Sequence, residues 1–346
     1  MQSIPVAVLG ATGTVGQKFA VLLQDHPLFE IRELVASPRS AGKSYADACL
    51  WKQDQAMPES LRSMVVKSTD ERLSSSVLFS GLDSSVAGPA ETNYAESGHF
   101  VISNSKNHRM DPDVPLVIPE VNSDHFALIE RQPYKGAIVT NSNCSTMFLA
   151  MVLAPLHRTF GVAAVQVTTL QAISGAGYPG VASMDILGNV IPYISDEEEK
   201  LETEAARILG TLGPDGVEPA SFAVSAQCTR VPVFDGHTET VSIRFDEPAA
   251  PEAVAKALRE FRGPPQELGL HSAPSAPIVV TEQRDRPQPA RDVWTGNGMV
   301  TVVGRIRRCS VFDVKMVLLG HNTVRGAAGA AILNAEALCA MGYIPA

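Results

Sequence analysis

The sequence predicts an α/β protein: a doubly wound, Rossmann-type N-terminal domain followed by an α+β domain. Three observations support this fold class. Over residues 1–140, short apolar strand patterns alternate with helix patterns, which is typical of a parallel sheet covered on both faces. The first strand pattern leads through a glycine turn into a helix pattern. From about Ser145 onward, longer segments of alternating polarity favour a second, largely antiparallel sheet.

Each element is predicted from its apolar period and from the turn residues that bound it. Apolar residues at helical spacing predict helices over residues 17–24 and 145–160. Strands of the first domain are predicted at 5–10, 31–37, 75–82, 99–104, 114–121 and 136–141. Strands of the second domain are predicted at 163–171, 221–233, 237–245, 299–308 and 311–320.

Two segments near the C-terminus complete the organisation. Residues 263–292 are rich in Pro and Gly, so we expect a long surface excursion there. The Ala-rich helix pattern of residues 324–342 is too apolar to remain exposed, and we expect it to pack on the first domain. The predicted nucleotide-binding domain is therefore 1–143 completed by 322–346, and the second domain is 144–321.

Composition limits the classes of function. The 346 residues are 45% hydrophobic and carry a net charge of −9, which argues against nucleic acid as a partner. Five cysteines without C-x-x-C pairs predict neither disulfides nor a metal site, and they suit a reducing compartment. No apolar run reaches the ~18 residues of a membrane span. The first apolar stretch enters a glycine turn, so we expect a strand rather than a signal peptide, and a cytoplasmic location.

The glycine turn is the first candidate binding site. Glycines let the backbone approach a pyrophosphate, and the free N–H groups of a helix N-terminus attract its charge. The spacing is G-x-x-G-x-x-G rather than G-x-G-x-x-G, and an ordinary tight turn is the alternative. Its position directly after a strand pattern favours a dinucleotide. The turn consists of Gly10, Ala11, Thr12, Gly13, Thr14, Val15 and Gly16.

The end of the second strand indicates which dinucleotide is bound. An NAD site usually places an acidic residue there to hold the ribose hydroxyls. No Asp or Glu lies between Glu33 and Asp47, whereas Arg39 stands between Ser37 and Ser40 and can receive a 2′-phosphate. We therefore predict NADP(H); the alternative is a basic loop without a cofactor role.

Cys144 is the candidate nucleophile. Cys49, Cys228, Cys309 and Cys339 fit the usual pattern of a small buried residue. Cys144 instead lies in a polar turn between a strand pattern and a helix pattern. The N-terminus of a helix stabilises a thiolate, and a polar turn can present it to a cleft.

A proton partner for the thiol is available downstream. His237 follows an Asp-Gly turn and begins a strand pattern, although a lone histidine is more often an ordinary surface residue. Arg230 could equally form a surface ion pair, and the glycine-rich loop 171–180 could be a flexible turn or a wall of the site that begins with Gln171. The acidic segment 195–207 is most simply a solvated helix face, although its Lys200, Glu204 and Arg207 share one side.

Taken together, these segments resemble the aspartate-semialdehyde dehydrogenase family in the form typical of fungi and archaea. Each matching segment is short, but they follow the family order along nearly the whole chain. The segments are GATGTVGQ (10–17), ASPRSAGKSY (36–45), SNSKNHRM (103–110), SNCST (142–146), QAISGAGYPG (171–180), RVPVFDGHTE (230–239) and HNTVRGAAG (321–329).

The resemblance implies an acyl-transfer and reduction chemistry on a cysteine. It implies that Cys144 forms a thioester with the β-acyl group of aspartate, that His237 is the general acid/base and that Gln171 orients the acyl group. It implies that Arg230 binds the α-carboxylate and Glu204 the ammonium group of the substrate. The register of the acidic run leaves open which carboxylate meets the amine.

The resemblance also implies phosphate and cofactor sites and an oligomer. Arg109, with Lys106 and Arg207, would bind phosphate. Cofactor contacts are implied for Thr12, Gly13, Thr14, Val15, Ser37, Arg39, Ser40, Ser174, Gly175 and Asn322, in addition to the turn glycines Gly10 and Gly16. The family suggests a homodimer or homotetramer formed through the second domain.

Two alternatives stay open at this point. A malonyl-CoA reductase on the same scaffold would take a thioester in place of an acyl phosphate, although Arg230 and a carboxylate for the amine favour an amino-acid substrate. A non-catalytic NADP(H)-binding redox sensor would use Cys144 as an oxidisable switch and would not need His237.

Overall fold

The computed structural model describes residues 3–345. The chain divides into two compact units. The first runs to Val117 and also contains Asp124–Asn141 and the segment from Ala327 onward. The second contains Ile118–Ser123 and Ser142–Gly326. None of the helices within residues 3–345 has the length and apolar character needed to cross a membrane.

The first unit is built on a six-stranded parallel sheet, which confirms the predicted doubly wound fold. The strand order is β3-β2-β1-β4-β5-β6, the order of dinucleotide-binding domains. Both faces of the sheet are covered, so its central strands are largely apolar; Val6, Val8 and Leu9 are fully buried. The strands are β1 (Ile4–Leu9), β2 (Phe29–Ala36), β3 (Val66–Ser68), β4 (Val77–Ser80), β5 (Phe100–Ser103) and β6 (Ala137–Thr140).

The helices of the first unit include the one that follows the glycine turn. Gly13 precedes its first residue, Thr14. The Ala-rich helix near the C-terminus is buried along nearly its whole length and contacts β4 and β5, because it has no polar face to expose. The helices are α1 (Thr14–Leu22), α2 (Tyr45–Ala48), α3 (Glu59–Arg62), α4 (Ser84–Glu96) and α12 (Gly329–Ala340).

Two details of the first sheet differ from the sequence prediction. The predicted strand 114–121 is wrong: Leu116 forms a single bridge with Thr140, and a short helix begins at Pro119. Pro115 and Pro119 lack the N–H groups that a strand ladder needs, which explains the failure. The edge strand Val66–Ser68 was not predicted, since its three residues are too few to show a period.

The second unit contains a six-stranded mixed sheet in the order β10-β7-β11-β14-β13-β12. Its central pairs are antiparallel, as predicted, but the pairs at the two edges, β7–β10 and β12–β13, are parallel. The strands are β7 (Val162–Gln171), β10 (Ala223–Arg230), β11 (His237–Phe245), β12 (Ile278–Val280), β13 (Thr301–Arg308) and β14 (Val314–Gly320), with a separate hairpin of β8 (Thr211–Gly213) and β9 (Gly216–Glu218).

The helices of the second unit are dominated by one buried helix that begins at Cys144. All its residues from Ser145 to Leu156 are buried. Most residues of the predicted surface excursion 263–292 are exposed or partly exposed, and the segment also contains a strand paired with β13 and two short helices that were not predicted. The helices are α5 (Pro119–Asn122), α6 (Cys144–Phe160), α7 (Ser183–Ile186), α8 (Glu197–Ile208), α9 (Pro251–Glu260), α10 (Pro264–Glu267) and α11 (Pro289–Asp292).

Turns of other helical types complete the described chain. A 3₁₀ segment, Ile173–Ala176, follows β7 directly, and a π-helical segment, Val324–Ala328, precedes α12. Two further 3₁₀ segments are Ser123–Arg131 and Thr295–Gly298.

Candidate active site

Cys144 is the first residue of α6, one residue earlier than the sequence indicated. Asn143 caps the helix: its Oδ1 accepts hydrogen bonds from the N–H groups of Ser145 at 2.9 Å and Thr146 at 3.2 Å. The Cys144 side chain is partly exposed. Gly326 packs against it so closely that a Cβ at position 326 would lie 2.8 Å from the Cys144 Cβ. The helix therefore holds the thiol at its N-terminus, where the positive end of the helix dipole favours a thiolate.

The other cysteines divide into two groups. Cys49 and Cys228 are buried, as expected, and burial raises the pKa of the Cys228 thiol to about 12. Cys309 and Cys339 are partly exposed, so the expectation of four buried thiols was wrong for these two. No group of ligating side chains suited to a metal ion was found among residues 3–345.

A buried carboxylate lies beside the capping residue. Glu197 accepts hydrogen bonds from Asn143 Nδ2 at 2.9 Å, from Gln171 Nε2 at 3.1 Å and from Lys200 Nζ at 2.7 Å. Burial alone would raise the pKa of Glu197, but the Lys200 charge and these hydrogen bonds outweigh burial and lower it. Glu197 is therefore an ionised group that holds Gln171 and Asn143 in place.

The composition of the acidic segment suggested a solvated helix face, but one side of helix α8 is buried. Glu197, Glu204 and Arg207 are buried, while Glu199 and Glu202 are exposed. Glu204 accepts a hydrogen bond from the backbone N–H of Asn143 at 2.6 Å. One side of α8 thus brings two carboxylates to the residue that precedes Cys144.

Sequence reasoning missed Glu197, although a signal was present. Positions 197, 200, 204 and 207 lie on one helical face, so the spacing that singled out Lys200, Glu204 and Arg207 also includes Glu197. What the sequence could not show was that this face is turned towards the protein interior.

The peptide of Ala172 orients two of the predicted site residues. Its N–H donates to Nδ1 of His237 at 3.1 Å, and its carbonyl accepts from Nη1 of Arg230 at 2.8 Å. Ala172 follows Gln171, the last residue of β7, and is itself buried. The ends of β7, β10 and the start of β11 therefore bring Gln171, Arg230 and His237 together, since these three strands are neighbours in the sheet.

His237 is fully buried, so it is not the ordinary surface residue that the sequence left open as an alternative. Burial, assisted by the positive charge of Arg230, lowers the pKa of His237 to about 3. The ring is therefore neutral at neutral pH. Burial likewise lowers the pKa of Arg230, while the negative charges of Cys144 and Glu197 act in the opposite direction.

The glycine-rich loop after β7 closes over these two side chains. A Cβ at Gly175 would lie 2.9 Å from Cε1 and 3.0 Å from Nε2 of His237, and 3.0 Å from Nη1 of Arg230. Asn322 holds the loop from the other side, because its Nδ2 donates to Oγ of Ser174 at 2.8 Å and its Oδ1 accepts from the N–H of Gly236. Asn322 thus holds Ser174, the neighbour in sequence of the glycine that packs against His237.

The glycine turn of the first unit fits a dinucleotide. Gly10 has φ +75°, and a Cβ there would lie 2.6 Å from the carbonyl oxygen of Gly81. A Cβ at Gly16 would collide with the carbonyl oxygen of Gly10. The N-terminus of α1 carries no side-chain cap and no acidic residue in its first turn. This close-packed, uncapped N-terminus can receive the pyrophosphate of a nucleotide.

The region after β2 suits a 2′-phosphate. Ser37 and Arg39 are exposed and Ser40 is partly exposed. Glu33, the acidic residue nearest to Arg39 in the sequence, is bound to other groups. Its carboxylate accepts hydrogen bonds from Lys67 and from Ser74 and Ser75. No described acidic side chain of the segment 37–46 competes with Arg39 for the ribose.

The predicted phosphate ligands lie in different units. Arg109 and Lys106 belong to the first unit, where Arg109 is buried and donates to the carbonyl oxygen of Asn104 at 2.8 Å and Lys106 is exposed. Arg207 belongs to the second unit, on the buried side of α8.

Comparison with known proteins shows that the chain matches one class of protein. A family model described as the NAD binding domain of semialdehyde dehydrogenase matches residues 5–129, and one described as its dimerisation domain matches residues 153–325. The two matched domains therefore define the class of the protein: a semialdehyde dehydrogenase with a nucleotide-binding and a dimerisation domain.

Individual relatives identify the family of dehydrogenases to which the chain belongs. The chain is 51% identical to the aspartate-semialdehyde dehydrogenase of Methanothermobacter thermautotrophicus, over 96% of this chain and 98% of that one. It is 49% identical to the enzyme of Schizosaccharomyces pombe, over 96% of both chains. The solved structure of the Candida albicans enzyme with NADP has a TM-score of 0.92 and 47% identity, over 99% of this chain and 100% of that one. The chain belongs to the aspartate-semialdehyde dehydrogenase family.

Proposed function

We propose that this protein catalyses the NADPH-dependent reductive dephosphorylation of L-aspartyl 4-phosphate to L-aspartate 4-semialdehyde, in the biosynthesis of threonine, methionine and isoleucine, and of lysine where that route applies. The observation that supports this proposal most directly is the position of Cys144. It is the first residue of a capped helix and lies within electrostatic reach of Arg230. The family relationship supplies the substrate class.

Cys144 would act as the nucleophile. Its thiolate would attack the acyl carbon of aspartyl phosphate, form a C–S bond and release phosphate. Bound NADPH would supply the hydride that reduces this thioester. The N-terminus of α6 suits both stages, because it stabilises the thiolate as attacking group and as leaving group.

The neighbouring side chains would recognise the amino acid. Arg230, anchored by the carbonyl of Ala172, would bind the α-carboxylate with its guanidinium, and Gln171 would orient the acyl group. Two buried carboxylates are available for the ammonium group. Glu197 is favoured over Glu204 because its carboxylate is hydrogen bonded to Gln171, whereas Glu204 accepts the Asn143 N–H.

The remaining roles stay predictions from the resemblance. Arg109, Lys106 and Arg207 would bind phosphate, and the turn from Gly10 to Gly16 with Arg39 would bind NADP(H). The dimerisation domain supports assembly of identical chains, as a homodimer or homotetramer. A cytoplasmic location would suit the free thiols.

The decisive experiment measures NADPH formation from aspartate semialdehyde, phosphate and NADP⁺. We expect turnover by the wild-type protein and none above background by Cys144→Ser. Cys309→Ser, which changes another partly exposed cysteine, is the matched control and should retain wild-type activity.

Two outcomes would overturn the proposal. Oxidation of NADPH with malonyl-CoA but no reaction with aspartate semialdehyde would identify a malonyl-CoA reductase. Nucleotide binding without turnover, together with reversible oxidation of Cys144, would identify a redox sensor.

A further inference from the structure

Two side chains hold the peptide groups inside the glycine turn. The N–H of Gly13 donates to the carbonyl oxygen of Gly10 at 2.9 Å, which closes a β-turn. Within this turn, the carbonyl oxygen of Ala11 accepts a hydrogen bond from the Tyr45 hydroxyl at 2.8 Å. Tyr45 is fully buried, and burial raises the pKa of its hydroxyl, so the group remains a donor at neutral pH. The first peptide inside the turn is therefore fixed by Tyr45.

Gln17 fixes the second peptide and connects it to a separate segment. Its Nε2 donates to the carbonyl oxygen of Thr12 at 2.9 Å and to that of Leu50 at 3.1 Å, and its Oε1 accepts the Lys52 N–H at 2.7 Å. Both polar atoms of the amide thus have backbone partners. Only 2% of Gln17 is exposed, so bulk water cannot replace these partners. The glycine turn and segment 50–52 are joined through this one side chain.

These bonds set the direction of N–H groups that have no partner. A trans peptide points its C=O and its N–H in opposite directions, so the Ala11 carbonyl held by Tyr45 turns the N–H of Thr12 away from Tyr45. The first N–H groups of a helix have no partner within the helix. Within residues 3–345, the free backbone N–H groups of the turn and of the first turn of α1 are those of Thr12, Thr14, Val15 and Gly16. Phosphate oxygens can accept hydrogen bonds from such groups.

We propose that Gln17 and Tyr45 are positioning residues of the dinucleotide site: they hold the glycine turn in the conformation in which its free N–H groups bind the pyrophosphate. Neither side chain needs to touch the nucleotide. The inference rests on the NADP(H) site of the function proposed above and adds residues to that site. A turn that is ordered before the ligand arrives loses little freedom on binding, so the affinity is higher.

Gln17→Glu tests the amide with almost no change in shape. The carboxylate can still accept the Lys52 N–H, but it has no proton to donate to the carbonyl oxygens of Thr12 and Leu50. We expect the Kd for NADP⁺, measured by calorimetry on the whole protein, to rise about tenfold, because two carbonyls lose their donor. Adenosine 2′-monophosphate carries the 2′-phosphate but no pyrophosphate, so its Kd should stay unchanged.

A second buried glutamine provides the matched control. Nε2 of Gln132 donates to the carbonyl oxygens of Asp113 and Ile138 at 3.1 and 2.8 Å, and its Oε1 accepts the Ile138 N–H at 2.8 Å. Gln132 belongs to the same unit, but Ile138 lies on β6, three strands away from β1 in the sheet. Gln132→Glu should lower the melting temperature as Gln17→Glu does and leave the Kd for NADP⁺ unchanged. Equal weakening of NADP⁺ binding in both variants would mean general destabilisation and would overturn the inference.

Tyr45→Phe is a milder variant that serves if Gln17→Glu does not fold. We expect the Kd for NADP⁺ to rise about three- to tenfold, because the Ala11 carbonyl loses its donor. Tyr94→Phe is the control, since the Tyr94 hydroxyl donates to the carbonyl oxygen of Thr69 at 2.9 Å, outside the glycine turn. Tyr94→Phe should bind NADP⁺ as the wild type does.

Two further results would contradict the positioning role. The first is wild-type affinity for NADP⁺ in both Gln17→Glu and Tyr45→Phe. The second is an equal loss of affinity for adenosine 2′-monophosphate, which would show that the substitutions disturb the domain as a whole rather than the glycine turn.

Nucleotide binding is measured without turnover, so this inference and the proposed function can fail separately. If the wild-type protein binds NADP⁺ but does not convert aspartate semialdehyde, and the variants bind as expected, the proposed function fails alone. If the wild-type protein converts aspartate semialdehyde but Gln17→Glu and Tyr45→Phe bind NADP⁺ normally, only the positioning role fails.

Discussion

Glu204 accepts the backbone N–H of Asn143 at 2.6 Å, one residue before the candidate nucleophile. The side chain of Asn143 simultaneously caps α6 through Oδ1 and donates to Glu197 through Nδ2. Helix α8 therefore fixes the residue on which the direction of the first turn of α6 depends. The position of Cys144 follows from this anchoring as much as from its own contacts.

Removal of the cap should weaken both stability and thiol reactivity. In Asn143→Ala the first turn of α6 loses its side-chain acceptor, and Glu197 loses a donor. We expect the free energy of unfolding to fall by about 1–2 kcal/mol in denaturant titrations. The rate of Cys144 alkylation by iodoacetamide should also fall, because the thiolate depends on an ordered helix N-terminus.

A second capped helix provides the control for this effect. Asp83 caps α4 in the first unit through a hydrogen bond from the Ser85 N–H. Asp83→Ala should reduce stability by a similar amount and leave Cys144 alkylation unchanged. Equal slowing of alkylation in both variants would mean that general destabilisation, rather than the cap, controls the thiol.

Gly175 should tolerate no side chain, for a reason specific to the site. Its φ lies outside the left-handed region, so alanine meets no backbone strain, but the new Cβ would press on His237 and Arg230. We expect Gly175→Ala to lower kcat/KM about 100-fold with little change in melting temperature, since a shift of about 1 Å in positioned groups has that effect. Steady-state kinetics and thermal unfolding measure the two quantities.

Gly213→Ala is the matched control for that substitution. Gly213 lies in the hairpin of the second unit, and its nearest neighbour would be 3.6 Å from a Cβ. It should leave kcat/KM unchanged. Wild-type kinetics in Gly175→Ala would show that the loop moves to accommodate the new Cβ, and would contradict the expected steric effect on His237 and Arg230.

The fold class could be predicted because the sequence patterns that indicate it are local. Apolar period and turn residues placed most strands and α6, since a strand between two turns needs no information from elsewhere in the chain. The failures were also local in origin: Pro115 and Pro119 interrupt an apolar run that otherwise resembles a strand. The strand within segment 263–292 was not predicted because β12 is only three residues long.

The candidate site was predictable in its residues but not in its contacts. The polar turn before an apolar helix pattern identifies Cys144 as the candidate nucleophile and predicts its position near the start of α6. That Glu197 is buried and bound to Gln171 depends on the packing of α8, which composition alone does not determine. The orientation of His237 depends on the backbone N–H of Ala172, the residue that follows β7. The roles of these residues stay predictions until the variants are measured.

Arg39 should determine the choice between NADPH and NADH. Its guanidinium can bind a 2′-phosphate, and segment 37–46 contains no acidic residue that could hold the ribose hydroxyls of NAD instead. We expect Arg39→Ala to lower kcat/KM for NADP⁺ by about 10- to 100-fold, the value of one charged hydrogen-bonded contact, and to leave the low rate with NAD⁺ unchanged. Arg32→Ala, which changes an exposed arginine of β2 that is paired with Glu30, should alter neither rate. Equal losses with both nucleotides would contradict a 2′-phosphate contact.

Glu33 should make the stability of the first unit sensitive to acid. Burial alone would raise the pKa of Glu33, but hydrogen bonds from Lys67, Ser75 and Ser74 outweigh burial and lower it from 4.5 to about 2. A carboxyl whose pKa is lowered by folding stabilises the folded state when ionised. Its contribution is therefore fully present above pH 4.5 and is lost as the pH falls from 4.5 towards 2.

The difference between wild type and Glu33→Gln isolates this contribution from other groups that titrate in acid. Near neutral pH we expect the variant to unfold with about 2 kcal/mol less free energy, because it loses charged hydrogen bonds. The difference should shrink as the pH falls below 4.5. Glu59→Gln changes an exposed carboxylate and should show no such dependence. A constant difference across this pH range would show that the loss comes from packing rather than from the charge of Glu33.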